Sequence, residues 1–234
     1  MNQIETFLRA MLVIHIAGGT VSLITGLGAM LSKKGGKRHR TFGKIYFWAM
    51  TLVFVGALAL ALGHTKIFLL MIAFFSYYLT VRGYRILYLK NLSSGQRPNY
   101  IDWTISGISA AFIVFLFFWG AYTVYHGNNM GIVGLVFGVI GASYISQDLK
   151  NFFGPAPEKM HWWYGHIASM GASYIAAVTA FIVVNADSVF YRLNIDSTSF
   201  YFVLWILPGM VGGFLIRSTI IKYKAQFAAR DLKI

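Results

Sequence analysis

Seven stretches of this chain are each long and apolar enough to cross a lipid bilayer, and no other feature restricts its fold as strongly. A spanning helix needs about 20 mainly apolar residues, and it satisfies all of its backbone polar groups within the segment. The stretches cover residues 8–31, 42–63, 67–88, 103–125, 130–148, 162–185 and 199–221. Turn residues separate them and no long linker is present. The sequence therefore predicts an all-α integral membrane protein, a single seven-transmembrane helix bundle over residues 1–234.

Composition supports a lipid environment for most of the chain. Only 12% of the residues are charged, against about 25% in soluble domains. A chain this apolar could not cover a globular surface with polar groups. The sequence contains no cysteine, which excludes disulfides, thiolate metal sites and cysteine nucleophiles.

The basic residues are distributed unequally between the two sets of loops. A formal charge of +13 invites a nucleic-acid interpretation, because basic patches bind phosphate. However, 17 of the 20 basic residues lie in the loops after helices 1, 3 and 5, at the adjoining helix ends, or in the C-terminal tail. Cytoplasmic loops of membrane proteins concentrate lysine and arginine. We therefore expect the N-terminus outside, the C-terminus in the cytoplasm, and no binding of nucleic acid.

Glycines recur at helical spacing in two of the predicted helices. Small residues let helices approach closely in lipid, where no hydrophobic force drives them together. Helix 5 carries such a stripe at Gly131, Gly134, Gly138 and Gly141. Helix 7 repeats the spacing at Gly209 and Gly213. Both stripes are predicted to pack against neighbouring helices.

Two histidines lie inside the predicted helices, where ionisable residues suggest a functional site by default. His15 in helix 1 shares a face with several small residues, and His166 in helix 6 is followed on its face by Ser169 and Ser173. Both histidines are predicted to point into the bundle. One interpretation is a structural hydrogen bond to a hydroxyl or carbonyl on a neighbouring helix. The other is a role as ligand or in proton relay.

A second group of polar residues is predicted on the cytoplasmic side. It consists of His39, His161, His166 and Asp148. Paired imidazoles at one depth can hold haem b, so His39 could act with His161 or His166, and His15 with His64 or His126 on the outer side. Three ligands from the cytoplasmic group could instead hold a zinc ion and leave a position for water. Without a metal, His15 and His166 could relay protons or bind an anionic lipid or small acid.

The stretch from residue 14 to 48 resembles a family of predicted bacterial membrane proteins of unknown function. The family pattern is a histidine in helix 1, small residues, a basic loop and a His-Arg-x-x-Gly-x-x-Tyr motif that opens helix 2. The matching residues are His15, Gly18, Gly26, residues 33–38, His39, Arg40, Gly43 and Tyr46. A later family histidine before a methionine matches His166 and Met170. The resemblance implies no activity, but it favours His15, His39 and His166 as site residues.

These observations lead to one functional hypothesis and several alternatives. The leading hypothesis is a multi-pass protein of the bacterial inner membrane with a histidine-lined site formed by His15, His39 and His166, which binds or transports a small molecule or lipid. The first alternative is a redox protein that binds haem b or a metal. The second is a zinc-dependent membrane hydrolase, and a third is a structural partner that needs none of the histidines. Membrane lipids are expected partners in every case.

Overall fold

The computed structural model describes residues 3–193 and 201–231, and this part of the chain contains seven long helices. They are α1 (Gln3–Leu31), α2 (Lys37–Gly63), α3 (Ile67–Arg85), α4 (Tyr100–Tyr125), α5 (Met130–Phe153), α6 (His161–Leu193) and α7 (Tyr201–Asp231). Two 3₁₀ turns, Ile86–Tyr88 and Leu92–Ser94, lie between α3 and α4. All seven helices are long and apolar enough to cross a membrane. The predicted helix number is confirmed for the described residues.

Several helices extend beyond the apolar stretches that predicted them. For example, α2 begins at Lys37 rather than at residue 42, and α5 continues to Phe153 rather than ending at residue 148. Hydropathy marks only the apolar part of a helix, whereas the helix ends where its backbone groups find other partners. At the start of α4, Asn99 and Asp102 form a reciprocal capping box, which explains why the helix begins before residue 103. Residues 199–200 of the seventh stretch lie outside the described residues.

Helix α3 lies at the centre of the bundle. It packs against α2, α4 and α6 and also touches α5, while α1 packs on α2, α5 on α4 and α7 on α6. The side chains of Met71 and Leu79 on α3, Leu116 on α4 and Val133 on α5 are almost completely buried in this core. We use the term "basic end" for the end of the bundle where α1, α3 and α5 end and α2, α4 and α6 begin.

The predicted glycine stripe of helix 5 brings the backbones of α4 and α5 into direct contact. A Cβ atom added to Gly120 would lie 2.6 Å from the backbone nitrogen of Leu135 and 2.8 Å from the carbonyl oxygen of Gly131. A Cβ atom on Gly131 would lie 2.5 Å from the carbonyl oxygen of Gly120. Because the obstructing atoms belong to backbone rather than to flexible side chains, these two glycines cannot be replaced without separating the helices.

The corresponding prediction for helix 7 is wrong. A Cβ atom added to Gly209 or Gly213 meets no atom within 4 Å. It is Gly212 that packs closely, since a Cβ atom there would overlap the side chain of Ile175 on α6. The spacing of four residues identified a small-residue face, but α7 presents a different face to α6.

Replacement of Gly120 should therefore destabilise the bundle, whereas replacement of Gly107 in the same helix should not. For Gly120→Ala we expect a loss of about 1–3 kcal/mol in the free energy of unfolding, the usual cost of overpacking. A Cβ atom on Gly107 meets nothing within 4 Å, so Gly107→Ala should be neutral or stabilising by up to about 1 kcal/mol. Unfolding in a mild detergent measures both. Equal stability of the two variants would contradict the close contact of α4 and α5.

Candidate functional site

A buried ion pair links α3 and α5 inside the bundle. The Nε atom of Arg82 donates to Oδ1 of Asp148 at 2.7 Å, and the two residues are only 4% and 6% exposed. The hydroxyl of Tyr78 donates to Oδ2 of the same carboxylate at 2.7 Å, and Ser106 on α4 donates at 3.4 Å. A second guanidinium nitrogen of Arg82 donates to the hydroxyl of Ser169 on α6 at 2.5 Å. One network therefore connects four helices.

This network explains why two opposite charges can lie in the interior. A buried charge is costly unless it is paired and its remaining hydrogen-bonding positions are satisfied. Both oxygens of Asp148 accept hydrogen bonds, and the guanidinium group of Arg82 also lies 5.0 Å from the ring centroid of Tyr144. From the sequence, Arg82 was expected among the basic residues at a helix end, and this ion pair was not predicted.

The polar face of α6 is turned towards α3, as predicted for His166. The Nδ1 atom of His166 donates to the carbonyl oxygen of Gly83 on α3 at 2.7 Å. Two turns further along α6, the fully buried hydroxyl of Ser173 lies 2.6 Å from that of Thr80 on α3 and 2.7 Å from that of Tyr46 on α2. These hydrogen bonds fix the rotation of α6 and thereby the direction of His166.

His39 and His166 lie close together near the basic end. Their ring centroids are 6.1 Å apart and their planes are inclined at 77°. The Nδ1 atom of His39 lies 2.9 Å from the carbonyl oxygen of Ala29 at the end of α1, where the carbonyls have no partner within the helix. Because a carbonyl oxygen can only accept a hydrogen bond, the Nδ1 atoms of His39 and His166 must both be donors. In the neutral imidazole, each Nε2 atom then carries a lone pair.

Neither of these Nε2 atoms has a hydrogen-bond partner among residues 3–193 and 201–231. A histidine that binds a metal through Nε2 almost always donates Nδ1–H to a carbonyl or carboxylate, which fixes the tautomer and the ring orientation. His39 and His166 both have this arrangement. The pair thus offers two oriented lone pairs on neighbouring helices.

Two lysines lie beside the pair, and with it they form what we call the histidine-pair site: His39, His166, Lys34 and Lys90. The Nζ atom of Lys34 lies 3.4 Å from the carbonyl oxygen of Ala29, to which His39 also donates, and Lys90 lies against Trp162, one turn before His166 on α6. The ammonium group of Lys34 is held by the carbonyl oxygen of Met30, and its partial burial lowers its pKa from the ordinary value. The ammonium group of Lys90 lies 4.6 Å from the ring centroid of Trp162.

The carboxylates of the basic end whose side chains the structure describes are paired elsewhere. The ion pairs join Arg82 to Asp148 at 2.7 Å, Arg85 to Asp102 at 2.6 Å and Lys224 to Glu158 at 2.8 Å. Among the described side chains, none of these carboxylates neutralises Lys34 or Lys90. The histidine-pair site is therefore positively charged and suited to a ligand that carries negative groups.

Space is available next to the pair on the α2 side. Gly43 lies one turn after His39, on the same face of α2, and a Cβ atom added to it would meet nothing within 4 Å. The backbones of α2 and α6 make little close contact, whereas α3 and α6 pack together. Gly43 thus leaves open space one turn from His39, on a helix that is not packed backbone to backbone against α6.

The remaining predicted site residues lie away from this pair or are engaged elsewhere. His15 donates from Nδ1 to the carbonyl oxygen of Val53 at 2.8 Å, and it lies about 21 Å from Ala29 along α1 at 1.5 Å per residue. His161 is buried and has a carbonyl near each ring nitrogen, Glu158 at 3.0 Å and Leu89 at 2.9 Å. The structure thus brings His39 and His166 together, but not His15.

The predicted zinc ligands do not assemble into one group. Within residues 3–193 and 201–231, no set of three or more histidine and acidic side chains is placed to hold a metal ion. Asp148 is occupied by Arg82, and both nitrogens of His161 face carbonyls. The sequence indicated that these residues lie at similar depth on different helices. The rotation of each helix about its axis decides which neighbours each residue contacts, and here the neighbours differ.

No protein-family model, no curated protein and no solved structure matches this chain. The resemblance described for residues 14–48 therefore stays a prediction.

Removal of one charge from the buried ion pair should destabilise the protein more than removal of both. For Asp148→Ala we expect a loss of about 3–5 kcal/mol in the free energy of unfolding, because Arg82 would remain as an unpaired buried charge. The double variant Arg82→Met, Asp148→Leu should lose less. Glu158→Ala is the control, because its ion pair is about half exposed on both sides and should contribute about 1 kcal/mol or less. Chemical unfolding in detergent measures all three, and equal losses for Asp148→Ala and Glu158→Ala would contradict the burial of the pair.

Proposed function

We propose that this protein is a b-type haem protein of the bacterial inner membrane that transfers electrons, and that His39 and His166 would hold the haem through their Nε2 atoms. The observation that carries the proposal is the pair of imidazoles 6.1 Å apart, each with Nδ1 bonded to a backbone carbonyl. Their free Nε2 atoms are acceptors. A ligand that satisfies both of them must therefore present a metal or two proton donors.

The spacing of the two rings supports a single metal between them. A metal lies about 2 Å from a coordinating imidazole nitrogen, so two imidazoles that hold one metal would have ring centroids about 5–6 Å apart. The observed separation is 6.1 Å. Imidazole is a common axial ligand of haem iron, and the second-shell hydrogen bonds at Nδ1 increase the basicity of the ligand nitrogen.

The charges beside the pair support haem rather than a bare metal ion. Haem b carries two propionate carboxylates, which need cationic or hydrogen-bonding partners at the edge of the site. Lys34 shares the carbonyl oxygen of Ala29 with His39, Lys90 lies against Trp162 one turn before His166, and no described carboxylate neutralises either lysine. In the orientation expected from the basic loops, the site faces the cytoplasmic side of the membrane, where the propionates would lie near the polar interface.

A metal-free function is the second candidate, and the same lysines favour it. A small organic acid could place its carboxylate between Lys34 and Lys90 and donate hydroxyl protons to the Nε2 atoms of His39 and His166. The protein would then bind or transport that acid, and it would be colourless. A zinc hydrolase has less support, because a catalytic zinc site takes three protein ligands and the described residues supply no group of three.

An absorption spectrum separates these candidates. We expect protein expressed with ample haem and purified in detergent to show a Soret band that shifts on reduction with dithionite. His39→Ala and His166→Ala should each lose most of the bound haem, because one axial ligand is removed. His64→Ala is the matched control, since His64 is exposed at the opposite end of α2, and it should keep the spectrum of the wild type.

Two results would overturn the haem proposal. A colourless protein would exclude it and leave the organic acid, for which His39→Ala would still be expected to abolish binding. A Soret band that survives in both His39→Ala and His166→Ala, but not in His15→Ala, would place the haem at the other end of the bundle.

A further inference from the structure

A second candidate site is an apolar groove on the outward-facing side of α1 and α2. It has a volume of about 620 Å³ and is lined by side chains from both helices, among them Ala17, Val21, Ile45, Trp48 and Leu52. Ligand pockets usually have volumes of about 300–1,000 Å³. Trp48 is 66% exposed and Leu52 is 50% exposed, so the groove opens outwards along the helix pair rather than into the bundle.

One cation lies at the end of this otherwise apolar groove. Lys44 is the only charged residue among those that line it, and Arg40 lies one turn before Lys44 on α2, towards the basic end. Both side chains are exposed. Neither has an ion-pair partner within the described part of the chain. The groove therefore combines a long apolar surface with a positively charged end.

The groove is separate from the histidine-pair site. Trp48 follows His39 by nine residues, which is two and a half turns at 3.6 residues per turn, so the two side chains lie on opposite faces of α2. A ligand in the groove would not touch His39 or His166. The inference that follows is independent of the proposed haem.

We infer that this groove binds an anionic phospholipid, with one acyl chain along Trp48 and Leu52 and the phosphate against Lys44 and Arg40. An acyl chain suits a surface without hydrogen-bonding groups. A negatively charged head group suits the two unpaired cations, because juxtamembrane lysines and arginines attract anionic lipids. A zwitterionic lipid brings a positive group that these side chains would repel.

The same charges argue against a helix of a second copy in the groove. Such a helix would need a carboxylate to meet Lys44. The described carboxylates of the basic end already form ion pairs with Arg82, Arg85 and Lys224 within their own chain. An anionic lipid supplies the missing negative charge without disturbing those pairs.

Native mass spectrometry of the full chain with added phosphatidylglycerol or phosphatidylcholine tests this inference. We expect the wild type to retain phosphatidylglycerol in preference to phosphatidylcholine. Lys44→Gln should weaken that preference about fivefold, and the double variant with Arg40→Gln about 25-fold, if each cation contributes the usual attraction to an anionic lipid. Ala17→Phe should displace both lipids by filling the groove.

Two matched controls distinguish the groove from general effects. Lys150 is an exposed cation of the basic end on α5, and Ala111 is an exposed alanine on α4. Lys150→Gln and Ala111→Phe should therefore keep the wild-type preference. Equal retention of the two lipids by the wild type, or an equal loss in Lys44→Gln and Lys150→Gln, would overturn the inference. A change of oligomeric state in Ala17→Phe with unchanged lipid retention would overturn it as well, and would assign the groove to a second copy.

Discussion

The position of the central helix depends on one interaction, the buried ion pair between Arg82 and Asp148. A guanidinium group can remain in an apolar bundle only if its charge and its donors are matched. Here the carboxylate of Asp148 and the hydroxyl of Ser169 match them, and Tyr78 occupies the second carboxylate oxygen. These partners lie on α3, α5 and α6, so a rotation of any of the three helices would leave a charge or a donor unpaired. The polar network thus supplies the directional constraint that apolar packing in lipid lacks.

The histidine-pair site depends on the same constraint. Ser169 holds the face of α6 towards Arg82, and His166 is three residues earlier on that face, where its Nδ1 atom reaches the carbonyl oxygen of Gly83. The two helices approach closely here, because a Cβ atom on Gly83 would lie 3.1 Å from the backbone nitrogen of Met170 and would displace the side chain of that methionine. His39 is fixed separately, by the end of α1. Two independent backbone carbonyls therefore orient the two imidazoles.

Hydropathy was sufficient to predict the seven helices, because the length of an apolar run is a local property that the bilayer dictates. The glycine stripe of α5 was also predictable, because the spacing of small residues is a local property of the sequence too. Pairing between helices was not predictable, because it depends on the rotation of each helix about its axis.

Arg82 and Asp148 were both assigned to the ends of their helices, although α5 continues beyond Asp148 to Phe153. The presence of Tyr78 four residues before Arg82 was the available sign of a polar face on α3. Of the candidate histidines, His39 and His166 lie side by side. His15 instead donates a hydrogen bond to a backbone carbonyl of α2 at the interface between α1 and α2.

We propose that imidazoles from α2 and α6 would hold one haem iron, and their Nδ1 hydrogen bonds set the orientation of both rings. Electron paramagnetic resonance of the oxidised, purified protein at low temperature can test this coordination, because the spectrum reports which ligands the iron has and not only its presence. We expect a low-spin ferric signal of the bis-imidazole type, which disappears or becomes high-spin in His166→Ala while Asp148 and the rest of the polar network stay intact. An unchanged low-spin signal in His166→Ala, or no signal from haem-supplied wild-type protein, would contradict it.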